Sequence, residues 1–149
     1  MDEKNVRTVE ILLVEDDPGD ALLTVEAFKL AKVHNEMHLV KDGAAAMDFL
    51  HKKGEYTDVV SPDLIILDLN LPKKDGREVL AEINEDPNLK HIPVVILTTS
   101  RAEEDIMKAY EHHAIFITKP VELDKFFEEV KKIEEFWLSL VKLSSEKQN

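Results

Sequence analysis

The sequence contains no cysteine among its 149 residues. Disulfides and thiolate zinc sites are therefore excluded, and the absence fits a reducing compartment, taken here as the cytoplasm. No apolar run approaches the length of a membrane span, so no membrane association is expected. The amino-terminal stretch MDEKNVRTVE is charged and lacks the apolar segment of a signal peptide. Basic residues are also few, with 19 Lys and Arg against 31 Asp and Glu, giving a net charge of −12. Such a surface repels the phosphates of DNA and RNA, so direct nucleic-acid binding is not expected. No internal repeat or low-complexity linker is visible, and only the final SSEKQN reads as disordered.

What is present is organised around Pro62 to Gly76, PDLIILDLNLPKKDG. Leu64 to Leu67 form an unbroken branched run, which suits a strand buried on both faces. Comparable runs are Ile11 to Val14, Val94 to Leu97 and Ile115 to Ile117, with a weaker strand at Glu36 to Val40. Between them lie helical patterns over Ala21 to Lys32, Ala44 to Leu50, Arg77 to Glu85 and Ala102 to His112. A last helix runs from near Glu122 to about Leu143. Five strands alternating with five helices predict a doubly wound α/β fold, a parallel sheet with helices on both faces. The length suits one domain, residues 1–149, with a core of about 9–133 and a helical extension and tail over 134–149.

In a parallel sheet all carboxyl ends share one edge, where open α/β sheets bind ligands. The first strand delivers Glu15 and Asp16 there, the third Asp68, the fourth Thr98 and the fifth Lys119. Singly, each is an ordinary turn or surface residue; their joint placement points to chemistry. Converging carboxylates repel one another unless a cation joins them. Mg²⁺ is the natural candidate, since it takes a few carboxylates plus waters and phosphate oxygens. A carboxylate can also act as a nucleophile and form an aspartyl phosphate, with a cation and Lys119 neutralising the phosphoryl oxygens.

The segments ILLVEDD, LIILDLNLPKKDG, PVVILTTS and ITKP, in this order, resemble those of response-regulator receiver domains of two-component signalling, over about Val9 to Ile133. The resemblance implies a flavodoxin-like receiver fold in which Asp68 accepts a phosphoryl group from a sensor histidine kinase. It implies Mg²⁺ held by Glu15, Asp16, Asp68 and the backbone carbonyl of Asn70. Thr98 would be the switch hydroxyl and Lys119 the phosphoryl-binding cation, with a cis peptide before Pro120. Phe116 occupies the aromatic switch position and has no hydroxyl to donate. The sequences LNLPKKDGREVLAEI and IEEFWL, with the long connection before Pro62, resemble small stand-alone regulators of phytochrome-type kinases. The segment HHAIFITKP is one residue shorter than is common in that subgroup. No output module follows, so the implied output is protein–protein contact or onward phosphotransfer, and self-catalysed phosphotransfer with slow autodephosphorylation rather than enzyme turnover.

Two other readings carry less weight. A phosphatase of the haloacid dehalogenase type also uses a strand-end Asp, Mg²⁺ and a lysine. It needs a second Asp two residues on, where Asn70 stands here. A phosphate-independent adaptor would not need the acidic pair, Asp68, Thr98 and Lys119 together. The six histidines lack the spacing of a zinc site, and Asp17 reads as loop or helix N-terminus. Phe126, Val130, Ile133, Trp137 and Leu140 recur at helical steps, and Phe136 widens that stripe. It outruns the domain it would cover, which favours a homodimer on the terminal helix over a helix that folds back on its own domain.

Overall fold

A computed structural model of the chain describes residues 8–30, 34–98, 115–118, 124–125 and 128–135. The strands are β1 (Val9–Val14), β2 (Asn35–Val40), β3 (Leu64–Asp68), β4 (Val94–Thr98) and β5 (Ile115–Thr118). The helices are α1 (Pro18–Lys29), α2 (Gly43–Leu50) and α3 (Gly76–Glu85), and residues 128–135 are also helical. The expected helix over Ala102 to His112 lies outside the described residues.

The strands form one sheet in the order β2-β1-β3-β4-β5, with every pairing parallel. Each residue of β3 and β4 is buried, as their unbroken apolar runs require. Successive side chains alternate between two cores. On one face Leu12, Val14, Ile65, Leu67, Val94 and Ile96 pack with Met47, Phe49 and Leu50 of α2 and Val79, Leu80 and Ile83 of α3. On the other, Ile11, Leu13, Leu64, Ile66, Val95, Leu97 and Ile117 pack with Ala21, Ala27 and Phe28 of α1.

Val130 and Ile133 join this second core, at 3% and 1% exposed. That corrects their assignment to an intermolecular stripe: the described part of the terminal helix covers its own sheet. The same helical spacing serves either purpose, so the stripe alone does not distinguish them. Phe126, Phe136, Trp137 and Leu140 lie outside the described residues.

α1 also begins three residues earlier than its apolar pattern suggests. Asp17 caps it, accepting from the backbone N–H of Gly19 and Asp20, and Pro18 occupies the first turn. Its packing face is small, built on Ala21, Thr24, Ala27 and Phe28, while Leu22 and Leu30 are exposed.

Candidate functional site

Because β1 is flanked by β2 on one side and β3 on the other, the chain reverses its winding direction at the β1/β3 junction. α1 lies on one face and α2 and α3 on the other, so a crevice opens at the carboxyl ends of these two strands. Val14 is the register partner of Leu67, which sets the residues that follow, Glu15 and Asp68, side by side. Ligand oxygens of Glu15, Asp16 and Asp68 all lie within 4.8 Å of one another. Glu15 and Asp68 are 1% and 3% exposed, whereas Asp16 faces solvent.

Local hydrogen bonds orient these groups. The Glu15 amide donates to Val40 O at 3.0 Å, fixing the end of β1 to β2. Glu15 Oε2 accepts from the Asp17 amide at 3.2 Å, and Asp68 Oδ1 accepts from the Asn70 amide at 2.9 Å. Three clustered carboxylate donors, two of them buried, suit a hard divalent cation and suit no soft metal. Mg²⁺, which takes a few carboxylates plus waters and phosphate oxygens, fits this donor set.

Thr98 ends β4, on the strand next to Asp68, whose register partner is Leu97. It is 0% exposed, and its Oγ1 has no hydrogen-bond partner among the described residues. An unpaired buried hydroxyl is costly and points to a function for it. Phe116 lies on β5 opposite Ile96 and packs, half-buried, against the α2/α3 core. Lys119 and Pro120 lie outside the described residues.

Asp42-Gly43 and Asp75-Gly76 each start a helix. Asp42 accepts from the Ala45 amide at 2.7 Å and caps α2; Asp75 accepts from the Arg77 amide at 2.8 Å and caps α3. Gly76 is packed so tightly that a Cβ would lie 2.4 Å from Asp68 O and 2.5 Å from Leu69 Cα. Its amide donates to Leu69 O at 3.0 Å, closing the loop that follows Asp68.

Residues 11–131 match the response regulator receiver domain model. The chain belongs to the response-regulator receiver family. This receiver domain is 51% identical to the response regulator Rcp1 of Synechocystis sp. over 143 residues, covering 95% of this chain and 97% of Rcp1. Its fold is similar to that of the phosphorylated cyanobacterial phytochrome response regulator RcpA. The TM-score is 0.79 at 52% identity, over 90% of this chain and 96% of RcpA. It is also similar to the Mn²⁺-bound form of Rcp1, with a TM-score of 0.77 at 51% identity, over 87% and 94% of the two chains. Five parallel strands with helices on both faces are thus a receiver domain of two-component signalling, whose partner class is the histidine kinase. Among the described residues, no helix is long and apolar enough to cross a membrane.

Proposed function

We propose that this receiver domain accepts a phosphoryl group on Asp68 from a sensor histidine kinase of the phytochrome type. The observation that carries the reading is the convergence of Glu15, Asp16 and Asp68 within 4.8 Å at the β1/β3 crevice. Glu15, Asp16, Asp68 and the Asn70 carbonyl would hold Mg²⁺, which when bound neutralises charge on the phosphoryl oxygens. The site residues then have separate tasks. A carboxylate oxygen of Asp68 attacks phosphorus in line as the N–P bond of the phosphohistidine breaks. The bond electrons leave with the imidazole, which takes up a proton. The product is an acyl phosphate on Asp68. Thr98 Oγ1, which has no partner among the described residues, donates a hydrogen bond to it, and Lys119 supplies a second positive charge. Water later cleaves the acyl phosphate slowly, releasing inorganic phosphate and restoring the carboxylate.

Thr98 reorients on phosphorylation, and the surface around β5 and Phe116 changes with it. That surface and a homodimer contact through Phe136, Trp137 and Leu140 carry the signal, in the cytoplasm. Support for the phytochrome-type donor comes from the likeness to RcpA.

The test is incubation with a small phosphodonor and Mg²⁺. Wild type is expected to take one phosphoryl group per chain, labile to hydroxylamine, and Asp68→Asn none. Stoichiometric label persisting in Asp68→Asn would refute the assignment.

A further inference from the structure

We propose that Gly43, the first residue of α2, is a positioning residue for the Asp68 site. It acts by fixing the loop between β3 and α3 that carries Asn70. The inference rests on the metal-dependent reading above.

Gly43 is buried, and a Cβ built on it would lie 2.0 Å from Lys74 O and 2.8 Å from Lys74 C and Cβ. Two of these three atoms belong to backbone, so no rotamer change relieves the clash. For ordinary contact at 3.4 Å the Lys74 carbonyl would have to retreat by roughly 1.4 Å.

The loop has little freedom to absorb that movement. At its far end Gly76 is pressed on Asp68 O and Leu69 Cα, and the Gly76 amide is bonded to Leu69 O. Its middle is a tight turn, the Lys74 amide donating to Pro72 O at 2.7 Å. Lys73 sits in the left-handed region at φ 64°, a conformation that is strained for a non-glycine residue and persists only where its surroundings impose it. Lys74 Nζ is tied to Glu82 Oε2 of α3 at 2.5 Å, and Leu69 is fully buried. From the α2 side, Asp42 Oδ2 lies 3.6 Å from Lys73 Nζ while its other oxygen caps the helix. α2 and α3 thus grip the loop from opposite ends, with a glycine at each point of contact. A displacement imposed at Lys74 passes back to Leu69 and Asn70, next to the Asp68 carboxylate that the Asn70 amide holds.

The experiment is calorimetric titration of Mg²⁺ into wild type, Gly43→Ala and Phe49→Leu, with melting temperatures measured on the same samples. Phe49 is buried at the opposite end of α2, with its ring near those of His38 and Tyr56, so its substitution destabilises the helix from the end away from Gly43. Supporting the proposal, Gly43→Ala loses affinity about tenfold, as metal-site supporting residues commonly do, while Phe49→Leu stays near wild type. Wild-type affinity in Gly43→Ala overturns it, and so does an equal loss in both variants, which marks general destabilisation. A second measurement needs no variant. On Mg²⁺ addition to the unsubstituted chain, the Gly43 amide resonance is expected to shift together with that of Asn70; an indifferent Gly43 overturns the proposal. A wild-type chain that takes up no Mg²⁺ refutes the reading of the site as well, whereas binding that ignores Gly43 refutes this inference alone.

Discussion

The buried hydroxyl of Thr98 offers a substitution with two opposite expected effects. Its Oγ1 has no partner among the described residues, and the side chain is 0% exposed. Leaving such a group unpaired costs about 1–3 kcal/mol. Valine has the same branched shape and favours a strand. Thr98→Val is therefore expected to stabilise the unphosphorylated chain by about 1 kcal/mol, a rise in Tm of roughly 2–4 °C for a domain of this size. The phosphorylated state should respond the other way. A beryllium fluoride mimic of the acyl phosphate, bound with Mg²⁺ at a hundred times its Kd, stabilises wild type by about 2.7 kcal/mol. A hydrogen bond from the hydroxyl to a charged oxygen is worth about 1.5–3 kcal/mol. The valine variant should then bind the mimic roughly 10- to 100-fold more weakly and gain only about 0.4–1.4 kcal/mol from it at the same concentration. Thermal unfolding with and without the mimic reads both effects. A lower Tm in the bare variant would mean that the hydroxyl already has a partner. An undiminished response to the mimic would mean that it never meets the phosphoryl group.

Three further outcomes test other parts of the molecule. Asp16→Ala should weaken Mg²⁺ binding by on the order of tenfold or more, since few carboxylates remain; unchanged calorimetric affinity would count against the cluster. Tyr56 is held above its ordinary value of 10.0, chiefly by burial and then by its hydrogen bond with Glu55. The fold therefore keeps the phenol proton more tightly than the unfolded chain does. The stability this contributes is complete below pH 10 and lost as pH rises through the folded value, so Tyr56→Phe should flatten the alkaline fall in urea midpoint. Trp137→Glu should shift a wild-type dimer toward monomer in sedimentation equilibrium and leave Asp68 phosphorylation intact; a wild type that stays monomeric at high concentration removes the dimer.

The sequence made β3 and β4 plain because strands buried on both faces must be apolar throughout. β2 was weaker for the converse reason: as an edge strand it keeps Glu36 and His38, and His38 Nε2 meets Glu10 Oε1 at 2.7 Å. The acidic cluster could be foreseen once the strands were taken as parallel, because parallelism alone sends Glu15, Asp16 and Asp68 to one edge. Helix faces were less legible. α1 is apolar nearly all round, and alanines and a threonine make its contacts while Leu22 and Leu30 stay wet. Val130 and Ile133 followed a spacing that fits an inner face or an outer one. The role of Gly43 depends on backbone approaching from Lys74, a residue distant in sequence, which no local pattern encodes.

The sheet has a chemical pole and a silent one. The connection from α2 to β3, with its short 3₁₀ turn at Gly54–Tyr56, lies at the amino ends of the strands, opposite Asp68. Asp58 on that connection is exposed, and the chain has no thiol of its own. Asp58→Cys would therefore create a unique attachment point for a dye or spin label. The label would sit a full strand length from the site, able to report tumbling, assembly or kinase docking without perturbing the chemistry it is meant to follow.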